Sequence, residues 1–126
     1  MVADPWMTQS LHDFGLRMGI TRFQANDNNV ACLHITAMGS LFIEPGQDVV
    51  RIYLARDFER LTLHELEHLL ALVYPLEGRS MPVWCGLKKE TQVVFGVTLA
   101  KGEFDSSRLE TVVDLLRGLL DLVRPR

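Results

Sequence analysis

Cysteine is scarce in this chain: Cys32 and Cys85 are the two in 126 residues, and neither belongs to a C-x-x-C pair. That excludes a disulfide framework, and in apolar surroundings each reads as a small buried hydrophobe. Positive charge is in deficit, with 13 Lys+Arg against 16 Asp+Glu and a formal charge of −3. No run of Lys or Arg stands out, so nucleic acid and acidic membranes are poor candidates as partners. Long apolar runs are missing as well. The longest, Leu69 to Tyr74, is six residues, far short of the ~20 that span a bilayer. Asp4 and Pro5 stand where a signal peptide would begin its basic and apolar regions, so the chain is expected to be cytoplasmic.

What is present is an ordinary globular composition. Hydrophobic residues make up 48% of the chain and charged residues 23%, too apolar for a disordered tail. The length suits one domain, residues 1–126, with no repeat and no dividing linker. Asp4 is placed to cap a first helix and Pro5 to start it. Met7, Leu11, Phe14 and Met18 supply its apolar face, and Gly19 is placed to end it.

From Val30 the period changes towards two. Residues 30–36, 41–44 and 48–55 read as short strands separated by turns, the pattern of an antiparallel meander. In the first, Ala31, Leu33 and Ile35 oppose Cys32, His34 and Thr36. In the third, Val50, Ile52 and Leu54 oppose Val49, Arg51 and Tyr53. Residues 60–74 are helical in pattern and Pro75 closes them. Strands follow at 82–87 and 92–100, joined by the polar turn Lys88-Lys89-Glu90. In the last helix, Ser107 to Glu110 fits a capping box. Leu109, Val112, Val113, Leu116, Leu119, Leu120 and Val123 make one stripe. The order α-β-β-β-α-β-β-α predicts an α+β fold, a twisted antiparallel sheet with helices packed on it.

One motif resembles catalytic chemistry. His64-Glu65-Leu66-Glu67-His68 matches H-E-x-x-H, in which two histidines one helical turn apart share a zinc ion and the glutamate activates its water. A small zinc-dependent hydrolase is therefore the alternative reading, with His64 and His68 as metal ligands. Four features oppose it. The apolar residues 63, 66, 69, 70 and 73 cluster on one side of the helix and the histidines point away. Thr62 and Glu65 form a capping box of their own. The charged Glu67 lies between the ligands. Ala71 and Tyr74 stand where the extended protease pattern requires Gly and His. Cys32, His34 and Cys85 have no recognised metal spacing, and Asn26–Asn29 lacks the glycine and closing glutamate of a calcium loop.

Other segments carry a family resemblance. Residues 50–56 (VRIYLAR), 81–87 (MPVWCGL) and 91–99 (TQVVFGVTL), with the Leu-rich helix from Leu109 to Val123, resemble the class I type III secretion chaperones. These are small acidic bacterial proteins of the CesT/SycE-like superfamily. Within that class the chain is most similar to the SycN type, which escorts the gatekeeper of the secretion channel. The resemblance implies a dimeric chaperone with no catalytic residues and no cofactor. It implies a heterodimer with a second, different small chaperone, the homodimer being the alternative, formed through the middle helix. Leu61, His64, His68 and Leu72 are the expected interface residues. It further implies that an extended N-terminal segment of a secreted gatekeeper or effector wraps the dimer and stays export-competent. The expected apolar contacts are Trp6, Met7 and Leu11 of the first helix with Phe42, Tyr53 and Trp84 of the strands, in grooves where helix meets sheet.

Overall fold

The computed structural model describes residues 5–17, 30–35, 38–73 and 82–124, with the side chains at 5–8, 17, 70, 72 and 73 excepted. The elements follow the expected order. They are α1 (Pro5–Arg17), β1 (Ala31–Ile35), β2 (Gly39–Pro45), β3 (Val49–Asp57), α2 (Leu63–Val73), β4 (Trp84–Lys88), β5 (Gln92–Ala100) and α3 (Ser106–Val123), with a 3-10 turn at Lys101–Glu103 before α3. All strand pairs are antiparallel and the sheet order is β1-β2-β3-β5-β4. The fold is α+β, as the periodicities predict.

Alternation along the strands sorts side chains onto two faces. Leu41 and Ile43, Val50, Ile52 and Leu54, and Val93, Phe95, Val97 and Leu99 are buried on one face. There they join Leu11 and Phe14 of α1 and the whole apolar stripe of α3 in a single core. All seven residues of that stripe are buried. Burying a Leu or Val side chain contributes about 1.5–3 kcal/mol, so among the described side chains α3 is the largest helical contributor to the core. The other face of the sheet carries none of the described helices' buried side chains.

Local details depart from the sequence pattern in instructive ways. The cap of α3 is Asp105, whose carboxylate accepts from the Arg108 amide at 2.7 Å, two residues earlier than the Ser107 box. The β4–β5 turn is Lys89-Glu90-Thr91, because Lys88 already pairs with Gln92. Lys89 and Glu90 both take positive φ, 56° and 65°, without a glycine to ease it. Asp4, Met18, Gly19 and Asn26–Asn29 lie outside the described residues.

The entry to α2 is tied by several hydrogen bonds at once. Thr62 and Glu65 exchange capping bonds, Thr62 N–H to Glu65 Oε1 at 3.0 Å and Glu65 N–H to Thr62 Oγ1 at 3.1 Å. Leu61 and Leu66 flank this box and both pack on the core, the positions of a hydrophobic staple. Leu61 was expected beside the histidines. It precedes the helix, so the helical wheel does not place it, and the staple turns it inward. Leu63, expected on the core stripe, is 72% exposed at the first helical position.

Arg124, just beyond α3, then grips Glu65 with both arms. Nε is 2.7 Å from Oε2 and Nη2 is 2.9 Å from Oε1. The same guanidinium donates to the Phe58 carbonyl at 3.1 Å and lies 5.2 Å from the Phe58 ring centroid. A second arginine, Arg56, ties the other flank of α3. It bonds Asp121 at 2.8 Å and the Met38 carbonyl at 2.9 Å.

The bond from Arg124, followed by the Thr62 amide, lowers the Glu65 pKa to about 2. A carboxyl depressed in the folded state stabilises it above the unfolded carboxylate range, near 4.3. That contribution is lost as pH falls from there towards 2. Urea midpoints measured at pH 7 and pH 3 should therefore differ less for Glu65→Gln than for the parent chain. At the opposite end, Glu90→Gly relieves a left-handed residue and should raise stability by about 1 kcal/mol, read from the same urea curves at pH 7.

Candidate functional site

The open face of the sheet is where the unusual side chains collect. Cys32, Phe42, Tyr53, Gly96 and Trp84 are successive cross-strand partners, one from each strand. They form a single row from the β1 edge to the β4 edge. Phe42 and Tyr53 stack with centroids 4.9 Å apart and ring planes 15° from parallel. Tyr53 and Trp84 come within 5.8 Å, tilted by 48°, even though a whole strand separates them.

Gly96 makes that reach possible. A Cβ at position 96 would overlap the six-membered ring of the Trp84 indole, so the indole lies across β5 on bare backbone. The result is a continuous aromatic ridge, half-buried over Phe42 and Tyr53 and 38% exposed at Trp84. Tyr53 also donates to Glu44 Oε2 at 3.1 Å, and Glu44 faces Arg51 at 3.6 Å. Burial, followed by the bond to Glu44, pushes the Tyr53 pKa above its ordinary value, so the phenol remains a neutral donor. The row therefore has an apolar crest with a polar flank.

On the other flank the cross-strand row is Ser40, Ala55, Val94 and Gly86, with His34 at its β1 end. His34 Nδ1 lies 3.1 Å from Ser40 Oγ. Small side chains beside large ones make a shallow trough parallel to the ridge. Five strands about 4.8 Å apart give it a length of roughly 19 Å, the span of about six extended residues. Among the described strands, β1 and β4 are the two outermost of the sheet, at its ends.

Phe42, Tyr53 and Trp84 thus come together as one surface. Leu11 does not join them. It is fully buried in the core on the helix side of the sheet, so the expected groove combining α1 with these aromatics is corrected. Two-residue periodicity gives each strand two faces but does not say which of them α1 covers. The side chains of Trp6, Met7 and Leu72 lie outside the described residues. Gly96 escaped the sequence reading, although a glycine inside an apolar strand is a signal of close approach.

The cysteines are free, and Cys32 is exposed at the β1 end of the ridge, which corrects its reading as a buried hydrophobe. Cys85 is half-buried against the core, and that burial raises its thiol pKa. The two occupy opposite edges and opposite faces of the sheet, so Cys32, His34 and Cys85 cannot share a metal.

His64 and His68 are exposed on α2, as expected. Glu65, the general base that H-E-x-x-H chemistry requires, is instead consumed by Arg124 and the Thr62 amide. A carboxylate held as an ion-paired cap is not available to take a proton from water. Among the described residues no three His, Cys, Asp or Glu side chains converge as metal ligands, and none of the described helices is long and apolar enough to cross a membrane. The hydrolase reading has lost its base.

Comparison with solved structures places the fold. The type III secretion chaperone SycH of Yersinia pestis, solved with a fragment of YscM2, superposes with a TM-score of 0.67 at 14% identity, covering 92% of this chain and 95% of that one. A chain of the HopA1–SchA chaperone–effector complex gives 0.68 at 14% identity over 94% and 91%. The ExsC–ExsE complex gives 0.68 at 12% identity over 94% and 88%. No curated protein matches in sequence. The sequence itself matches the Tir chaperone protein (CesT) family over residues 9–122, nearly its full length, and to that family of secretion chaperones the chain belongs.

Proposed function

We propose that this chain is a cytoplasmic type III secretion chaperone. It holds an extended N-terminal segment of a secreted gatekeeper or effector in an export-competent state, and it catalyses no reaction. The observation that carries the reading is the aromatic row of Phe42, Tyr53 and Trp84 on the sheet face that none of the described helices covers. Membership of the CesT family and the likeness to chains solved with effectors support it.

The surface suits a segment that brings its own disorder. Ordering a long chain is entropically costly, so each contact must return burial and shape fit. Aromatic rings do this well, because they are large and lose few rotamers on binding. Apolar side chains of the segment seat in the trough against the ridge. Its backbone adds to the outer edge of β1, which pairs with β2 alone among the described strands.

The working unit is a dimer formed through α2, with a second small chaperone or a second copy as partner. The exposed Leu63, His64 and His68 face outward on that helix, and the exposed Leu87 of β4 extends the uncovered apolar area beside it. The SycN-like assignment, with a gatekeeper as cargo, rests on the sequence resemblance in residues 50–56, 81–87 and 91–99.

The test is binding of synthetic segments, drawn from the N-terminal regions of secreted gatekeepers and effectors, by calorimetry. Trp84→Ala should weaken the tightest of them by tenfold or more, the size of a hot-spot loss, while the melting temperature shifts little. Unchanged affinity in a Phe42→Ala/Trp84→Ala double variant would remove the ridge from the binding surface. Gly96→Val approaches the same question through the backbone. The added side chain should expel the indole, shifting Trp84 fluorescence to the red in a Trp6→Phe background and lowering segment affinity to that of Trp84→Ala.

A further inference from the structure

The two histidines of α2 lie on the face assigned above to pairing, and their placement has its own chemistry. We propose that His64 and His68 form half of a structural site for zinc, the other half being the same pair on a second copy of this chain.

Residues four apart on a helix stand one above the other, with Cβ atoms about 5–6 Å apart. Two imidazoles at that spacing can turn their nitrogens to a common ion. Both are exposed, and neither has a hydrogen bond or ion pair among the described residues, so neither must give up a partner to bind metal. Glu67 is exposed on the same side of the helix and brings negative charge close to the cation. Ala71 follows one turn after Glu67, also exposed, and is small enough to let a second helix approach.

Geometry at the start of a helix is usually the weak point of such a pair, because first turns fray. Here His64 lies in a first turn locked by the Thr62–Glu65 box and by Arg124. The clamp that takes Glu65 out of hydrolytic chemistry thereby holds His64 in register with His68. It serves as a positioning device and makes no contact with the ion.

Zinc in structural sites takes four protein ligands in a tetrahedron. The described part of this chain supplies two, since no third His, Cys, Asp or Glu converges on them. A two-fold pairing of α2 with itself doubles the set to four imidazoles and closes the site, as an isologous contact requires. A closed site holds no open position for water, so its role is to tighten a dimer. The proposal rests on α2 being the pairing element of the chaperone, and its failure is separable from failure of that reading.

The experiment uses the untagged chain, stripped with a chelator and titrated with zinc chloride, with calorimetry and sedimentation run in parallel. One zinc per two chains is expected, with the dimer dissociation constant falling at least tenfold. His64→Ala and His68→Ala should each abolish both effects while keeping the far-ultraviolet circular dichroism of the parent. Arg124→Ala should weaken zinc binding without changing its stoichiometry. Absence of zinc binding would overturn the site, as would one zinc per chain with unchanged mass. A chain that dimerises and holds a secreted segment but ignores zinc would remain a chaperone and lose only this site.

Discussion

The pairing of β3 with β5 governs the rest of the molecule. Nine residues of each strand are in register, from Val49 opposite Ala100 to Asp57 opposite Gln92. That register sets Ile52 against Val97 and Leu54 against Phe95 on the helix side, and Tyr53 against Gly96 on the open side. A slip of one residue would turn the core outward and break the ridge at once. The core face and the aromatic face are thus carried on alternate residues of the same two strands. Neither can be altered by a shift that spares the other. The α3 stripe sits on one side of this pair and the Trp84 indole on the other, each fitted to it.

The second organising feature is the knot at α2, which depends on residues far apart in the chain. Glu65 and Arg124 are 59 positions apart, and Phe58 and Arg60 lend backbone carbonyls to the same guanidinium. An isolated short helix of eleven residues is marginal in water. Its start is therefore fixed by capping, a staple and the arginine. This explains how a motif with a protease spacing coexists with a binding protein. Glu65 serves the fold, and the two histidines remain exposed on the helix.

Much of this was legible in the residues. The α3 stripe was readable because seven apolar positions repeat at helical spacing, and all seven are buried. Strand faces were readable because period two leaves no alternative once one residue is assigned. What local patterns could not show was which side of the sheet a helix covers. Leu11 was therefore grouped with Phe42, Tyr53 and Trp84 although the sheet lies between them. Leu61 and Leu63 were misplaced for a related reason: a helical wheel holds only inside the helix, and the cap decides where it begins. Asp105 displaced Ser107 as a cap because its carboxylate reaches the Arg108 amide. The Trp84–Gly96 contact joins two strands through their pairing, which no window along the chain displays.

An open sheet face with aromatic rings would normally invite aggregation. Here the apolar band is one row wide. Stacking half-buries Phe42 and Tyr53 against each other, and Trp84 hides part of its surface on Gly96. Charged groups bound the band, Glu44 with Arg51 on one side and exposed Asp57 with Lys88 on the other. A narrow crest of this kind gives little grip to a folded surface, which cannot reach into the trough. A flexible segment can follow it, placing an apolar side chain wherever the row falls away. Apart from Glu44, Arg51 and the edge strands, the crest offers few directional hydrogen bonds. On the reading proposed above, recognition on this face is set by the spacing of apolar residues in the segment, and a chain that has already folded cannot present that spacing.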